Sequence, residues 1–146
     1  MEKEINLSAE GSIAIAASDE NIWDILTNPE KIKLYMFGSV TSTNWQPGSH
    51  VTFTRVYNGV QYQDKGRILE VIKGKLLKFT YWSSQEGYDD IPQNYSVITY
   101  TLETENPGCH TLKYCREKIP LEFERKNQEI FLPGMLEQIK TLAEGR

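Results

Sequence analysis

Asp64, Arg116 and a group of tyrosines are the side chains whose chemistry most needs placing in this sequence. Period-two alternation sets Asp64 in line with Tyr62 on one strand. On another it sets Arg116 in line with His110, Leu112 and Tyr114. Both charges then point with apolar neighbours toward an interior, where a carboxylate or guanidinium must be paired. Three roles are open: a structural ion pair between the two, an anchor for a ligand acid at Arg116, or a general base at Asp64. The structural pair is the expectation carried forward.

Other chemistries fail on counting. His50 and His110 are the only histidines and fall on different strands, and no Cys-x-x-Cys occurs, so no metal site is expected. Cys109 and His110 are sequence neighbours on a strand and face opposite sides, which separates a thiol from its base. Cys109 and Cys115 share a face but lie too far apart along it to bond, so two free thiols are expected. There is no Gly-x-Ser-x-Gly elbow and no glycine-rich phosphate loop. No catalytic residue, metal or cofactor is assigned.

The totals set the frame. One domain, residues 1–146, is expected, with 39% hydrophobic and 25% charged residues and a net charge of −4. That charge argues against nucleic acid or an anionic membrane as partner. Met1 to Glu10 lacks the apolar core of a signal peptide, and no apolar run reaches transmembrane length. The expected location is the cytoplasm, and the expected state a monomer or weak dimer.

The elements follow from periodicity and punctuation. A first strand is expected over Ile5 to Ala17, with Gly11 as a bend or bulge. Ser18 caps a short helix carrying Ile22, Trp23, Ile25 and Leu26. Asn28 and Pro29 start a second, which Gly38 stops. Strands follow over Val40–Asn44, His50–Tyr57, Val60–Lys73, Lys75–Trp82, Asn94–Thr104 and Cys109–Lys118. Asn58-Gly59 is a two-residue hairpin signal, and Gly66 marks a bend or a close backbone approach. Ser83 to Gln93 is a polar loop long enough to serve as a lid. A long helix closes the chain from about Leu121 to Glu144, its stripe built from Ile130, Phe131, Met135, Leu136, Ile139, Leu142 and Ala143. Pro133 should kink it near Leu132 or divide it into two stacked segments.

This order reads as an α+β fold: a curved antiparallel sheet of about six or seven strands holding one long helix, with a space between them that two short helices plug at one end. The inward rows supply the walls: Phe53, Tyr62, Phe79, Tyr81, Tyr100, Tyr114 and Arg116 from the sheet, Phe131 and Met135 from the helix. Tyrosine is frequent among them, and a buried phenol needs a partner for its hydroxyl. Either a ligand or water inside the space supplies it, or the hydroxyls reach solvent at the mouth.

The run from Ile13 to Glu30 resembles the opening of the activator-of-Hsp90-ATPase homologue family, within the Bet v 1-like, START-type helix-grip superfamily. Ile22-Trp23, Leu26-Thr27 and Pro29-Glu30 match its strand-to-helix opening motif. Gly48, Gly66, Ile68, Glu70, Leu77, Phe79, Ile98-Thr99, Leu102, Thr111-Leu112, Gly134 and Leu142 extend the likeness over nearly the whole chain. Three positions depart from it: Tyr35 stands for a tryptophan, Gly48-Ser49 for paired glycines, and Gly134-Met135 for Gly-Trp. The resemblance implies the helix-grip fold and brings no catalytic set. It implies binding of a small hydrophobic or aromatic ligand in the cavity. It also implies two alternatives: a chaperone or other protein partner, and a cyclase or hydrolase on a polyketide-like substrate with Asp64 as its acid–base group.

Overall fold

The computed structural model describes residues 7–145. Seven antiparallel strands form one sheet in the order β1-β7-β6-β5-β4-β3-β2. They are β1 (Leu7–Ile15), β2 (Val40–Ser42), β3 (His50–Tyr57), β4 (Val60–Ile72), β5 (Leu76–Ser83), β6 (Ser96–Asn106) and β7 (Cys109–Ile119). Strands β2 to β7 make a meander, and β1 returns to pair with β7. Two short helices, α1 (Asp19–Thr27) and α2 (Pro29–Tyr35), lie between β1 and β2, and α3 (Glu122–Ala143) ends the chain. This is the expected helix-grip arrangement. The expected start of β1 at Ile5 lies outside the described residues.

The local chemistry that sets these boundaries is visible. The Ser18 hydroxyl accepts from the Asn21 amide at the start of α1, and Asn28 ends that helix while capping α2 in front of Pro29. Asn58 and Gly59 both take positive φ, 52° and 78°, as the tight hairpin between β3 and β4 requires. At Gly66 a Cβ would stand 1.7 Å from the Thr80 carbonyl oxygen of β5, so the close approach is real. Gly11 plays a different part from the expected bend. It sits in regular pairing opposite Tyr114, and the β1 irregularity falls between Leu7 and Ala9 instead. A Cβ on Gly11 would meet Leu136 Cδ1 at 3.1 Å, so the missing side chain lets α3 come close to β1.

Helix α3 runs unbroken through Pro133, in place of two stacked segments. Its buried stripe is Leu132, Met135, Leu136, Ile139 and Ala143. Ile130, assigned to that stripe from the sequence, is 80% exposed. The helix lies against β1 and β7. Its C-terminal end is fixed there: Lys140 Nζ donates to the Ala14 carbonyl at 3.1 Å, and the Ala16 amide donates to Glu144 Oε2 at 2.8 Å. Held on one edge of the curved sheet, α3 leaves the concave faces of β3 to β6 uncovered. That asymmetry makes the cavity.

Candidate functional site

The cavity measures about 370 Å³ and opens beside the N-terminal half of α3. Its sheet wall is built by alternation. Phe53 from β3, Leu77, Phe79 and Tyr81 from β5, Ile98 and Tyr100 from β6, and Tyr114 and Arg116 from β7 all turn inward. Helices supply the rest: Leu26, Ile32 and Tyr35 close one end, and Phe131 and Met135 come from α3. Phe37, just after α2, meets Phe131 with ring centres 5.3 Å apart. Trp45, between β2 and β3, also lines the space.

Eight of the nine side chains expected in the wall therefore line it, and Tyr62 does not. Tyr62 has the inward parity of Asp64 but lies two residues nearer the hairpin. The β4–β5 ladder ends at Asp64 opposite Ser83, so β5 stops short of Tyr62.

The expected pair between Asp64 and Arg116 is not formed. Asp64, 1% exposed, accepts from Arg55 Nη1 at 2.8 Å, from the Tyr81 hydroxyl at 2.5 Å and from the Ser83 hydroxyl at 2.6 Å. Arg116, 2% exposed, donates through Nε to the Ser96 hydroxyl at 2.8 Å. Its Nη2 donates to both carboxylate oxygens of Glu86, at 3.1 and 3.2 Å. Both charges are buried and paired, as desolvation requires, but with other partners. Arg55 has the same strand parity as Phe53 on β3, so alternation alone turns it inward. Glu86, a loop residue, has no periodicity to place it.

That loop, between β5 and β6, is tied down at two successive residues. Gln85 accepts from Arg55 Nη2, and Glu86 takes the Arg116 guanidinium. Glu124, in the first turn of α3, shares a hydrogen bond with Glu86. Partial burial, then the neighbouring Glu86 charge, raise the Glu124 carboxyl to about 7. The Tyr81 hydroxyl titrates well above its ordinary range, chiefly through burial and then through the Asp64 charge.

The phenols differ in how they are satisfied. Tyr35 donates to the Ile25 carbonyl at 2.9 Å, Tyr81 to Asp64, and Tyr114 to Gln128 Oε1 at 3.0 Å. The Tyr100 hydroxyl has no hydrogen-bond partner among the described residues, although Tyr100 is only 7% exposed. Its ring packs edge-on to Tyr114 at 5.2 Å. The histidines and cysteines lie elsewhere. His110 Nδ1 is 2.9 Å from the Ala17 carbonyl, His50 is exposed, and Cys109 and Cys115 are free thiols. No group of metal-ligating side chains occurs among the described residues.

Residues 16–144 match the family model described as activator of Hsp90 ATPase homolog 1-like protein. The chain belongs to that family. The solution structure of ChR145 from Cytophaga hutchinsonii is similar at 33% identity, covering 98% of this chain and 97% of that one, with a TM-score of 0.81. MLL2253 from Mesorhizobium loti shares the fold at 18% identity, covering 94% of this chain and 97% of that one (TM-score 0.76). So does CalU16 from Micromonospora echinospora at 15% identity, covering 94% and 74% respectively (TM-score 0.69). No curated protein matches the chain. No helix among the described residues is long and apolar enough to cross a membrane. In this member of the activator of Hsp90 ATPase homolog 1-like family, the cavity side chains form two closed charge networks set in an aromatic wall. Such a site can enclose an apolar body and offer it a few fixed polar contacts.

Proposed function

We propose that this chain binds a small hydrophobic or aromatic molecule, without chemical turnover, in the cavity between the sheet and α3. The observation that carries the reading is the uncovered concave face of β3 to β6, whose volume of about 370 Å³ is walled by Phe53, Phe79, Tyr100, Phe131 and Met135. Ligand sites in proteins fall roughly between 300 and 1,000 Å³ and share this mostly apolar lining. Packing the same space with side chains would need bulkier aliphatics from the sheet or a helix centred over it. Neither is present, because Gly11 and the C-terminal contacts of α3 draw the helix to the β1 edge.

Asp64, the acid–base candidate of the enzymatic alternative, speaks for binding over turnover. Three donors, one of them the Arg55 cation, hold its carboxylate in its charged form and occupy most of its acceptor sites, which makes it a poor acceptor for a substrate proton.

Titration with an environment-sensitive apolar dye, read by a Phe79→Trp reporter, tests the reading. One saturable site with quenched or shifted tryptophan emission is the expected result. Native mass spectrometry of protein purified from its own host should show a bound small molecule. A dye that binds equally well after Ile98→Phe and Met135→Phe are introduced together would overturn the assignment to this cavity.

A further inference from the structure

The charged groups and the phenols around the cavity can be accounted for one by one, and the account selects a class of ligand. Both cations are neutralised within the protein: Arg55 by Asp64, and Arg116 by Glu86 through two contacts. Glu124 adds a further acid beside Glu86. An incoming carboxylate would therefore meet no free cation, and an unpaired charge in an apolar site is strongly disfavoured.

The hydroxyls of Tyr35, Tyr81 and Tyr114 are engaged by protein acceptors. Tyr100 is the exception. It sits in the inward row of β6 between Ile98 and Leu102, opposite Leu77 on one side and Tyr114 on the other. Burial and then the surrounding phenols Tyr35, Tyr114 and Tyr81 keep its hydroxyl protonated. It is a neutral donor held rigidly in an aromatic and aliphatic wall. The hydroxyl is not among the fully buried polar atoms that lack a partner, so it is open to the cavity and available to a ligand.

We propose that the Tyr100 hydroxyl is the polar anchor of the cavity, and that the ligand is an uncharged apolar molecule presenting a hydrogen-bond-accepting oxygen to it rather than an acid. The proposal rests on the binding reading above and narrows it to neutral carbonyl- or ether-type compounds. Arg116, for which a ligand anchor was one of the roles open from the sequence, holds Glu86 instead.

Isothermal titration of naphthalene, 2-acetylnaphthalene and 2-naphthoate against the wild-type chain, Tyr100→Phe and Glu86→Gln tests it. The wild type should bind the ketone about three- to tenfold more tightly than the hydrocarbon, the value of one net hydrogen bond. It should bind the carboxylate at least about tenfold more weakly than the ketone. Tyr100→Phe should bring the ketone to the hydrocarbon's affinity and leave the hydrocarbon unchanged, with an unchanged melting temperature. Glu86→Gln should free the Arg116 charge and raise naphthoate affinity by about tenfold. Equal losses for all three compounds in Tyr100→Phe, no loss for the ketone, or a wild-type preference for naphthoate would overturn the anchor while leaving the cavity reading standing. Naphthoate affinity unchanged in Glu86→Gln would overturn the charge account. Failure of all three compounds to bind the wild type would overturn the cavity reading and this inference together.

Discussion

The Arg116 guanidinium lies 5.0 Å from the centre of the Tyr81 ring, and the hydroxyl of that same tyrosine donates to Asp64 at 2.5 Å. Tyr81 thus joins two charge pairs that make no direct bond to each other. Its ring face meets the cation of one pair, and its hydroxyl serves the anion of the other. One side of the cavity is held by this linkage, and both cationic partners also grip the loop between β5 and β6 through Gln85 and Glu86.

Asp64 is the member of the linkage with most to lose. Asp64→Ala leaves the Arg55 charge and the hydroxyls of Tyr81 and Ser83 without their acceptor in a buried setting. Urea unfolding should show a loss of about 3–5 kcal/mol. Wild-type stability in this variant would mean that Arg55 and its neighbours find other partners at no cost.

Gly66→Ala is expected to be as damaging for a steric reason. The added Cβ would stand 1.7 Å from a backbone carbonyl, and a strand cannot yield locally without breaking its ladder. A loss of about 3 kcal/mol or more is expected, with poor expression as the practical symptom. A soluble variant with an unchanged melting curve would contradict the packing at Thr80.

Trp23 serves the fold. Buried on α1 with Ile22, Ile25 and Leu26, it should cost about 3–5 kcal/mol when cut to alanine. Thermal denaturation checks this directly. A variant that melts like the wild type but loses dye binding would move Trp23 from scaffold to site.

Glu124 should make stability depend on pH. Its folded-state carboxyl is raised from 4.5 to about 7 by burial and by Glu86, with Tyr88, the Glu86 carboxylate and Arg116 facing it. Below the unfolded value both states hold the proton and the group contributes nothing. Between the two values the folded state holds more protons, so stability falls as pH rises through the window and the penalty is complete above it. Chemical denaturation at about pH 5 and about pH 8 should therefore show a steeper decline for wild type than for Glu124→Gln. Parallel slopes would remove Glu124 as the cause.

The sequence by itself determined most of the elements and the facing of the strands, though not the whole buried stripe of α3, where Ile130 is exposed. Ser18, Asn28 and Pro29 carry their helix boundaries in their own chemistry, and Asn58-Gly59 carries its turn. Alternation along β5, β6 and β7 placed Phe79, Tyr81, Tyr100, Tyr114 and Arg116 on the inner face, because a strand's period of two is a local property. The tertiary structure decided everything that depends on where one element ends against another. Tyr62 has the right parity and misses the cavity because β5 ends at Ser83. Gly11 looks like a break in a strand and is in fact the space for Leu136 on a helix more than a hundred residues away. Pro133 reads as either a kink or a division between two helices, and it lies within one continuous helix. The pairing of Asp64 with Arg55, and of Arg116 with Glu86, was beyond reach for the same reason. A buried charge announces that it needs a partner, but the choice among candidates is made by distance, and one of these partners sits on a loop with no pattern to reveal it.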